Sequence, residues 1–473
     1  MTSPRVITAE PSEGAPERRP EVTTDPAVRA AFEADASGLR LVPDAVARPH
    51  AEEEVVAVLR QSAAERTPVT AAGGQTSTTG ASVTDRGVLL SLRGIDRIGD
   101  VDVERRTMRV EAGALLGDVK RAAAAYDLLF APDPTSEEEC TVGGAVACNA
   151  SGPRTLCYGA TRAHVLALRV ALAGGEVIEV RRPGLEKNTA GYALAHDPVD
   201  WFVGSEGTLG VVLEAELSLL PQPAQVIGLA LPFTTEPDAL AFIVAAREAA
   251  ASLGIRCLEY LDRDALGIAR AAVGGEGLPA AGALVYAEAM NVGDVEPPLD
   301  AWLALAERQQ ARADDVRAFE GEPALRIARR LRHAVPAYMN ERGAAYRAAG
   351  GRKVSTDWAV PFRRLAEAIA LARQIALRRA AAPPVVYGHA GNGHPHQNFI
   401  ARDADELSRT EAAVEETLRA VLAMGGTVSA EHGIGKLKRR WLPLQMIPVQ
   451  LAAMRAVKRE LDPHGLLAPG NVL

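Results

Sequence analysis

Cysteine is scarce: four residues in 473 (Cys140, Cys148, Cys157 and Cys257), with no C-x-x-C pair among them. Neither a zinc knuckle nor an iron–sulfur cluster can be built from such local sequence, a disulfide scaffold is excluded, and reduced, buried thiols are expected. Long hydrophobic runs are also missing. Charge or glycine breaks every apolar stretch before the ~18 residues that a membrane span needs, and the segment MTSPRVITAEPSEGAPERRPEV has no apolar core of a leader peptide. A cytoplasmic protein is the expectation. Nor is there a basic excess: 52 Lys and Arg against 60 Asp and Glu give a net charge of −8, which repels phosphate backbones, so nucleic acid is not an expected partner.

What is present is the composition of a folded chain, 48% apolar and 24% charged, too long for one core, since single cores stop growing near ~250–300 residues. Residues 1–25 are rich in Pro, Glu, Arg and Thr without periodicity and read as a disordered tail. Residues 26–222 form a first domain. There EEEVVAVLRQSAAER predicts an amphipathic helix, and TPVTAAGG, GVLLSL, TMRVEAG, LALRVALAGGEVIEV (a Gly-Gly hairpin) and LGVVLEAELSLLP predict strands. Residues 223–424 change texture to Ala/Leu/Arg/Glu helices around apolar runs such as GALVYAEAM and read as a second, α+β domain. Residues 425–473 return to glycine-rich motifs.

Three small-residue segments stand out in the first domain. Gly73-Gly74-Gln75-Thr76-Ser77-Thr78-Thr79-Gly80 follows a strand and joins glycines to four consecutive hydroxyls, a loop able to turn several N–H groups toward one anion such as a pyrophosphate. No Gly-Lys-Ser/Thr follows it, and its glycine spacing misses G-x-G-x-x-G, so it is neither a P-loop nor a nicotinamide fingerprint. On its own a surface turn is the simpler reading. Pro132-Asp133-Pro134-Thr135-Ser136, with Thr141 to Pro153, is dense enough in small residues for a flat cofactor to lie on backbone, and Val203 to Val212 repeats the pattern. Three such pieces in one domain favour a ligand over packed loops.

The later half carries the chemistry. In Tyr387 to Asn398, Gly and Pro forbid a helix, so the segment reads as a hairpin turning at Ala390–Gly393, with His394, His396 and Asn398 on one face and His389 across the turn. Glu431-His432 offers a carboxylate beside an imidazole. A strand would aim them to opposite faces, but Gly433 and Gly435 allow a bend that brings both to one pocket. A His, His, Glu set with an open position suits a divalent ion that polarises substrate oxygens, whereas any one histidine alone reads as a structural one. The basic run Lys436, Lys438, Arg439, Arg440 reads as a solvated helix face.

From about Pro49 to Leu473 these motifs resemble the FAD-dependent oxidoreductases of the vanillyl-alcohol oxidase/p-cresol methylhydroxylase type, in the branch of D-lactate dehydrogenase, glycolate oxidase subunit and D-2-hydroxyglutarate dehydrogenase. The resemblance implies an α+β chain with the two-subdomain FAD-binding fold of the p-cresol methylhydroxylase type and an α+β cap domain for substrate. It assigns Gly73, Gly74, Gln75, Thr76, Ser77, Pro132, Thr135, Ser136, Gly143, Gly144, Asn149, Ser151, Gly152, Glu206, Gly207, Thr208 and Val211 to the cofactor. His389, His396 and Glu431 become metal ligands, for Zn, Mn or Fe. Asn398 and His432 face substrate, with His432 the catalytic base, and Arg332 in LRHAVP takes the substrate carboxylate. Lys353 reads as a surface lysine, with added positive charge near that carboxylate as the alternative.

The chain departs from the family pattern at Asn392 (usually Asp), at His394-Pro395 (an Asn-aliphatic pair), at Gln75 (Gly), and at Ala468 and Asn471 in the terminal APGN. These changes bear on substrate identity, and His394 competes as a ligand. No histidine lies in AAGGQTSTTGASV, so dissociable, non-covalent FAD is implied.

The reaction expected is oxidation of a small D-2-hydroxy acid to the 2-oxo acid. Electrons then leave to oxygen, a quinone, a cytochrome, an electron-transfer flavoprotein or a separate iron–sulfur subunit. A homodimer and a peripheral position at the inner face of the membrane are compatible with this reading. Its rivals are a metal-independent FAD alcohol or aldehyde oxidase using O₂ and a flavin-binding subunit without activity. The leading reading requires the imidazoles near residue 390 and the acid–imidazole couple at 431–432 to gather at the isoalloxazine.

Overall fold

A computed structural model describes residues 21–272, 278–293 and 295–473, except the side chains of residues 331 and 332. The chain divides into two compact units, one made of residues 1–151, 159–222 and 431–473, the other of residues 152–158 and 223–430. Of the tail expected over 1–25, residues 1–20 lie outside the described residues. Val22–Thr23 is a strand paired with Ala47 and Val46, and Asp25 caps the helix Pro26–Ala31 through Ala27 N–H. A sequence without periodicity is thus tied down by edge pairing and one cap.

In the first unit, Glu52–Glu65 is the expected helix, burying Val55, Val58 and Leu59, and it delivers the chain to the strand Val69–Ala72. That strand runs parallel to Val88–Ser91, which in turn runs parallel to Ala45–Ala47, in a four-stranded sheet. A second, antiparallel sheet orders its strands Ile98–Asp102, Thr107–Glu111, Val211–Ser218, Val165–Ala171, Val177–Arg181. One apolar core joins residues from both sheets, among them Leu59, Leu90, Val110, Phe202 and Leu217. The last segment rejoins this unit. Val69 N–H donates to Leu466 O and Ala468 N–H to Val69 O, beside the phosphate-loop strand.

The second unit is built on a seven-stranded antiparallel sheet ordered Arg317–Glu320, Val226–Phe233, Ala283–Met290, Ile255–Asp262, Val385–His389, His394–Asp403, Gly350–Ser355. Every residue of Ile255–Asp262 is buried, as befits a central strand covered on both faces. Helices Glu236–Glu248, Arg263–Ala272, Gly321–Ala344, Leu365–Arg378 and Ala404–Ala423 pack on the sheet and on one another. Asp262 ties the layers. Its carboxylate caps the helix at Ala265 N–H, accepts Val386 N–H, and pairs with Arg373. Among the described residues no helix is long and apolar enough to cross a membrane. No cysteine is in a disulfide, and burial pushes the thiols of Cys140 and Cys148 up, to about 11 and about 12.

Candidate active site

In the first unit the loop after Val69–Ala72 leaves backbone donors unspent. The N–H groups of Gly74 to Thr78 meet no protein acceptor among the described residues, and the loop is half-buried to exposed. A run of half-buried amides without acceptors suits an anion. Gly73 and Gly74 permit close packing: a Cβ on Gly74 would lie 2.1 Å from Glu139 O. Gln75 adopts φ 53°, and its side chain donates to Phe32 O and Ser82 O, so what it can offer a ligand is its backbone N–H.

Thr141 caps the helix Val142–Cys148 at Gly144 N–H, and Asn149 ends that helix in the left-handed region, accepting Arg162 N–H. Glu206, singled out for the cofactor, spends its carboxylate elsewhere in the same unit. It accepts Ile434 N–H at 2.6 Å and Gly435 N–H at 2.7 Å. Burial pushes the Glu206 carboxyl up, and those two amides oppose the shift.

These bonds hold the segment that carries Glu431 and His432. Gly433 and Gly435 take φ 75° and 50°, the bend expected of them, and a Cβ on Gly435 would lie 2.4 Å from Thr79 O. Glu431 Oε1 and His432 Nε2 are 3.4 Å apart, so the two side chains do converge. Ser151 Oγ lies 3.3 Å from Glu431 Oε2, and Thr79 Oγ1 donates to His432 O at 3.4 Å. The acid–imidazole couple is therefore bonded to two of the small-residue motifs.

The basic run beyond it is only partly solvated: Arg439 and Arg440 are exposed on the helical turn Arg439–Trp441, but the two lysines are not. Lys438 is buried, and half-buried Lys436 donates to Asn471 Oδ1, its ammonium pushed down to about 8 by burial. The glycine bends carry Lys436 and Lys438 inward before the helical turn begins. Asn471 in turn donates to Ala81 O and Glu206 O, so this departure from the family pattern serves as a structural tie.

In the second unit the hairpin forms as expected. Val385–His389 pairs antiparallel with His394–Asp403, His389 opposite His394, through a turn at Ala390–Asn392. Gly393 is required there, with φ 69° and a would-be Cβ 2.0 Å from Val360 O. His389, His394 and His396 are all buried, and their ligand nitrogens lie within 4.8 Å of one another.

Around them stand groups that the sequence did not announce. Glu259, 1% exposed, meets His389 Nδ1 at 2.6 Å, and Asp357, also 1% exposed, brings Oδ1 to 3.1 Å from His394 Nε2. Asp357 also accepts Ser429 Oγ–H, and its carbonyl accepts Ala430 N–H. Only strand neighbours link Glu259 to position 389, so no local motif marks it.

Asn398 bonds Ser355 through Oδ1, while its buried Nδ2 has no acceptor among the described residues. A buried donor without an acceptor marks a place for a ligand. Lys353 Nζ donates to Asn340 Oδ1, and burial pushes it down to about 8. Arg332 sits in the helix Gly321–Ala344, but its side chain is outside the described ones. Gly152 belongs to this unit, with its N–H on Thr155 Oγ1. Nearby, Arg154 and Arg256 converge on buried Glu288.

Comparison with known proteins gives two family matches. Residues 43–181 match the family "FAD binding domain", and residues 222–472 match "FAD linked oxidases, C-terminal domain". The chain is 30% identical over 440 residues to "Glycolate oxidase subunit GlcD" of Bacillus subtilis (strain 168), covering 91% of this chain and 89% of that one. It is 32% identical over 441 residues to "D-lactate dehydrogenase" of Archaeoglobus fulgidus (90% and 91% covered), and 32% identical over 459 residues to "D-2-hydroxyglutarate dehydrogenase" of Xanthomonas citri pv. viticola (91% and 89%). A solved structure titled "alkyldihydroxyacetonephosphate synthase in P212121" superposes with a TM-score of 0.71 at 16% identity, covering 95% of this chain and 83% of that one, a likeness of fold alone.

Proposed function

Because the chain belongs to the FAD-linked oxidases, we propose that it oxidises a small D-2-hydroxy acid, of the lactate, glycolate or 2-hydroxyglutarate kind, to the 2-oxo acid. The observation that carries this reading is the bonding of the Glu431-His432 couple to Ser151 and Thr79 of the cofactor motifs.

The amides of Gly74 to Thr78 suit the pyrophosphate of a dissociable FAD, and Gly73 and Gly143 let the neighbouring motif pack closely, since a Cβ there would meet Thr141 and Ala112. By the family pattern, His389, His396 and Glu431 would hold a divalent ion. His389 fits that role because its Nδ1 meets the Glu259 carboxylate, the usual partner of a ligating histidine's second nitrogen. When bound, FAD supplies the acceptor for the hydride leaving Cα, and the ion supplies the Lewis acidity that lowers the hydroxyl pKa.

The chain's own residues do the rest. Arg332 holds the substrate carboxylate. The buried Nδ2 of Asn398 donates to a substrate oxygen. His432 takes the hydroxyl proton, with Glu431 beside it. Two electrons and two protons leave the substrate in all, and the electrons pass on to an acceptor outside the chain.

An anaerobic screen of D- and L-2-hydroxy acids, followed by bleaching of the flavin band, tests the reading. Bleaching by D-isomers, abolished by a chelator and restored by Zn, Mn or Fe, is expected. Bleaching indifferent to the chelator would move the assignment to a metal-independent oxidase. No bleaching with any hydroxy acid would overturn the reading.

A further inference from the structure

We infer that His394 is a third imidazole ligand of the divalent ion, so that this chain holds its metal with His389, His394 and His396 of one hairpin. The inference rests on the metal site proposed above and extends it by a residue that the family pattern fills with asparagine.

Three observations carry it. First, the hairpin register sets His394 directly opposite His389, and the period of the strand puts His396 on the same face. The ring centroids are 4.6 Å apart for His394 and His396, 5.4 Å for His389 and His394, and 5.2 Å for His389 and His396. Second, the three ligand nitrogens lie within 4.8 Å of one another. Metal–nitrogen bonds of ~2.0–2.1 Å hold neighbouring ligand atoms about 3 Å apart, so small side-chain rotations close the set. Third, His394 is 4% exposed, and its Nε2 makes no hydrogen bond among the described residues. Asp357 Oδ1 is only 3.1 Å away, but at an angle that makes no hydrogen bond. The carboxylate is near the ring without consuming its nitrogen.

An imidazole buried only for packing would be expected to satisfy both nitrogens, since a buried polar atom without a partner costs ~1–3 kcal/mol. A divalent ion removes that cost for His394. The expected ligand is a borderline cation such as Zn, Mn or Fe in the 2+ state, for which imidazole is a suitable donor.

The test uses the full-length flavoprotein stripped of metal and titrated with Zn²⁺ against a chromophoric chelator, beside Cu²⁺-loaded samples in which pulsed EPR counts coordinated imidazoles. Wild type, His394→Asn, His394→Gln and His389→Asn are compared, each checked for FAD content and thermal unfolding. The expected result is at least tenfold weaker Zn²⁺ binding in both His394 variants, with the imidazole count falling by one and FAD retained. A Zn²⁺ affinity within twofold of wild type and an unchanged imidazole count in both would overturn the inference. If His389→Asn loses the ion while the His394 variants keep it, the inference fails and the metal reading above stands. If wild type takes up no Zn²⁺, both fail.

Discussion

Glu259 Oε1 lies 2.6 Å from His389 Nδ1, both side chains almost wholly buried. This pair fixes the orientation of the His389 ring and, in the proposed metal site, would set which nitrogen is offered to the ion. Replacing the carboxylate by an amide keeps the shape but weakens the hold on the ring. Glu259→Gln is expected to lower divalent-metal affinity by about 10- to 100-fold, measured by chelator competition, with FAD content unchanged. An unaltered affinity would mean that the pair only packs.

Glu206 predicts a separation between holding the flavin and catalysing. Its carboxylate fixes Ile434 and Gly435, and through them the dipeptide Glu431-His432. Glu206→Ala strands two amides, at a cost of about 1–3 kcal/mol each, and is expected to lower the unfolding temperature and slow flavin reduction. Glu206→Gln, which keeps one carbonyl acceptor, should fall between wild type and Ala. Identical rates and unfolding temperatures in all three proteins would refute the positioning role.

The ion cluster at Glu288 predicts a pH dependence. Burial alone would push this carboxyl up, but Arg154 and Arg256 outweigh it and hold it down at about 2, against 4.5 for the free group. A depressed folded-state value means the native protein binds fewer protons than the unfolded chain. The stabilisation is therefore present above about pH 4.5 and is lost as pH falls toward 2, a contribution of about 3 kcal/mol. Denaturant unfolding of wild type and Glu288→Gln across this range is the measurement. The variant should be less stable at pH 7, by about 3–5 kcal/mol, because it leaves two buried guanidinium groups short of their counter-ion. The gap should narrow in acid, and a constant gap from pH 7 to 3 would contradict the assignment.

His432 predicts the rate of the chemical step. In the proposed mechanism it is the base, and its Nε2 lies 3.4 Å from Glu431 Oε1. His432→Ala is expected to slow single-turnover flavin reduction by about 10²–10⁴-fold while FAD and metal stay bound. A rate unchanged for every hydroxy acid that reduces the wild type would remove the residue from the role of base.

The sequence by itself determined the parts whose physics is local. Period two and a Gly-containing turn wrote the hairpin at residues 385–403, and the Gly-Gly turn at 174–175 wrote another. The glycines at 433 and 435 announced a bend, because few other residues take positive φ without strain.

What only the tertiary structure decided is which side chains answer one another across long separations. Nothing near His389 in sequence names Glu259, 130 residues away, and nothing near Gly435 names Glu206, 229 residues away. The basic run at 436–440 looked solvated because charge in a sequence carries no record of depth, yet Lys436 and Lys438 are drawn inward by the preceding bends. Hydrogen-bond partners are chosen by the sheet that sets strands side by side and by the desolvation that makes an unpaired buried polar group costly. Both are properties of the assembled chain, so neither can be read from residue order alone.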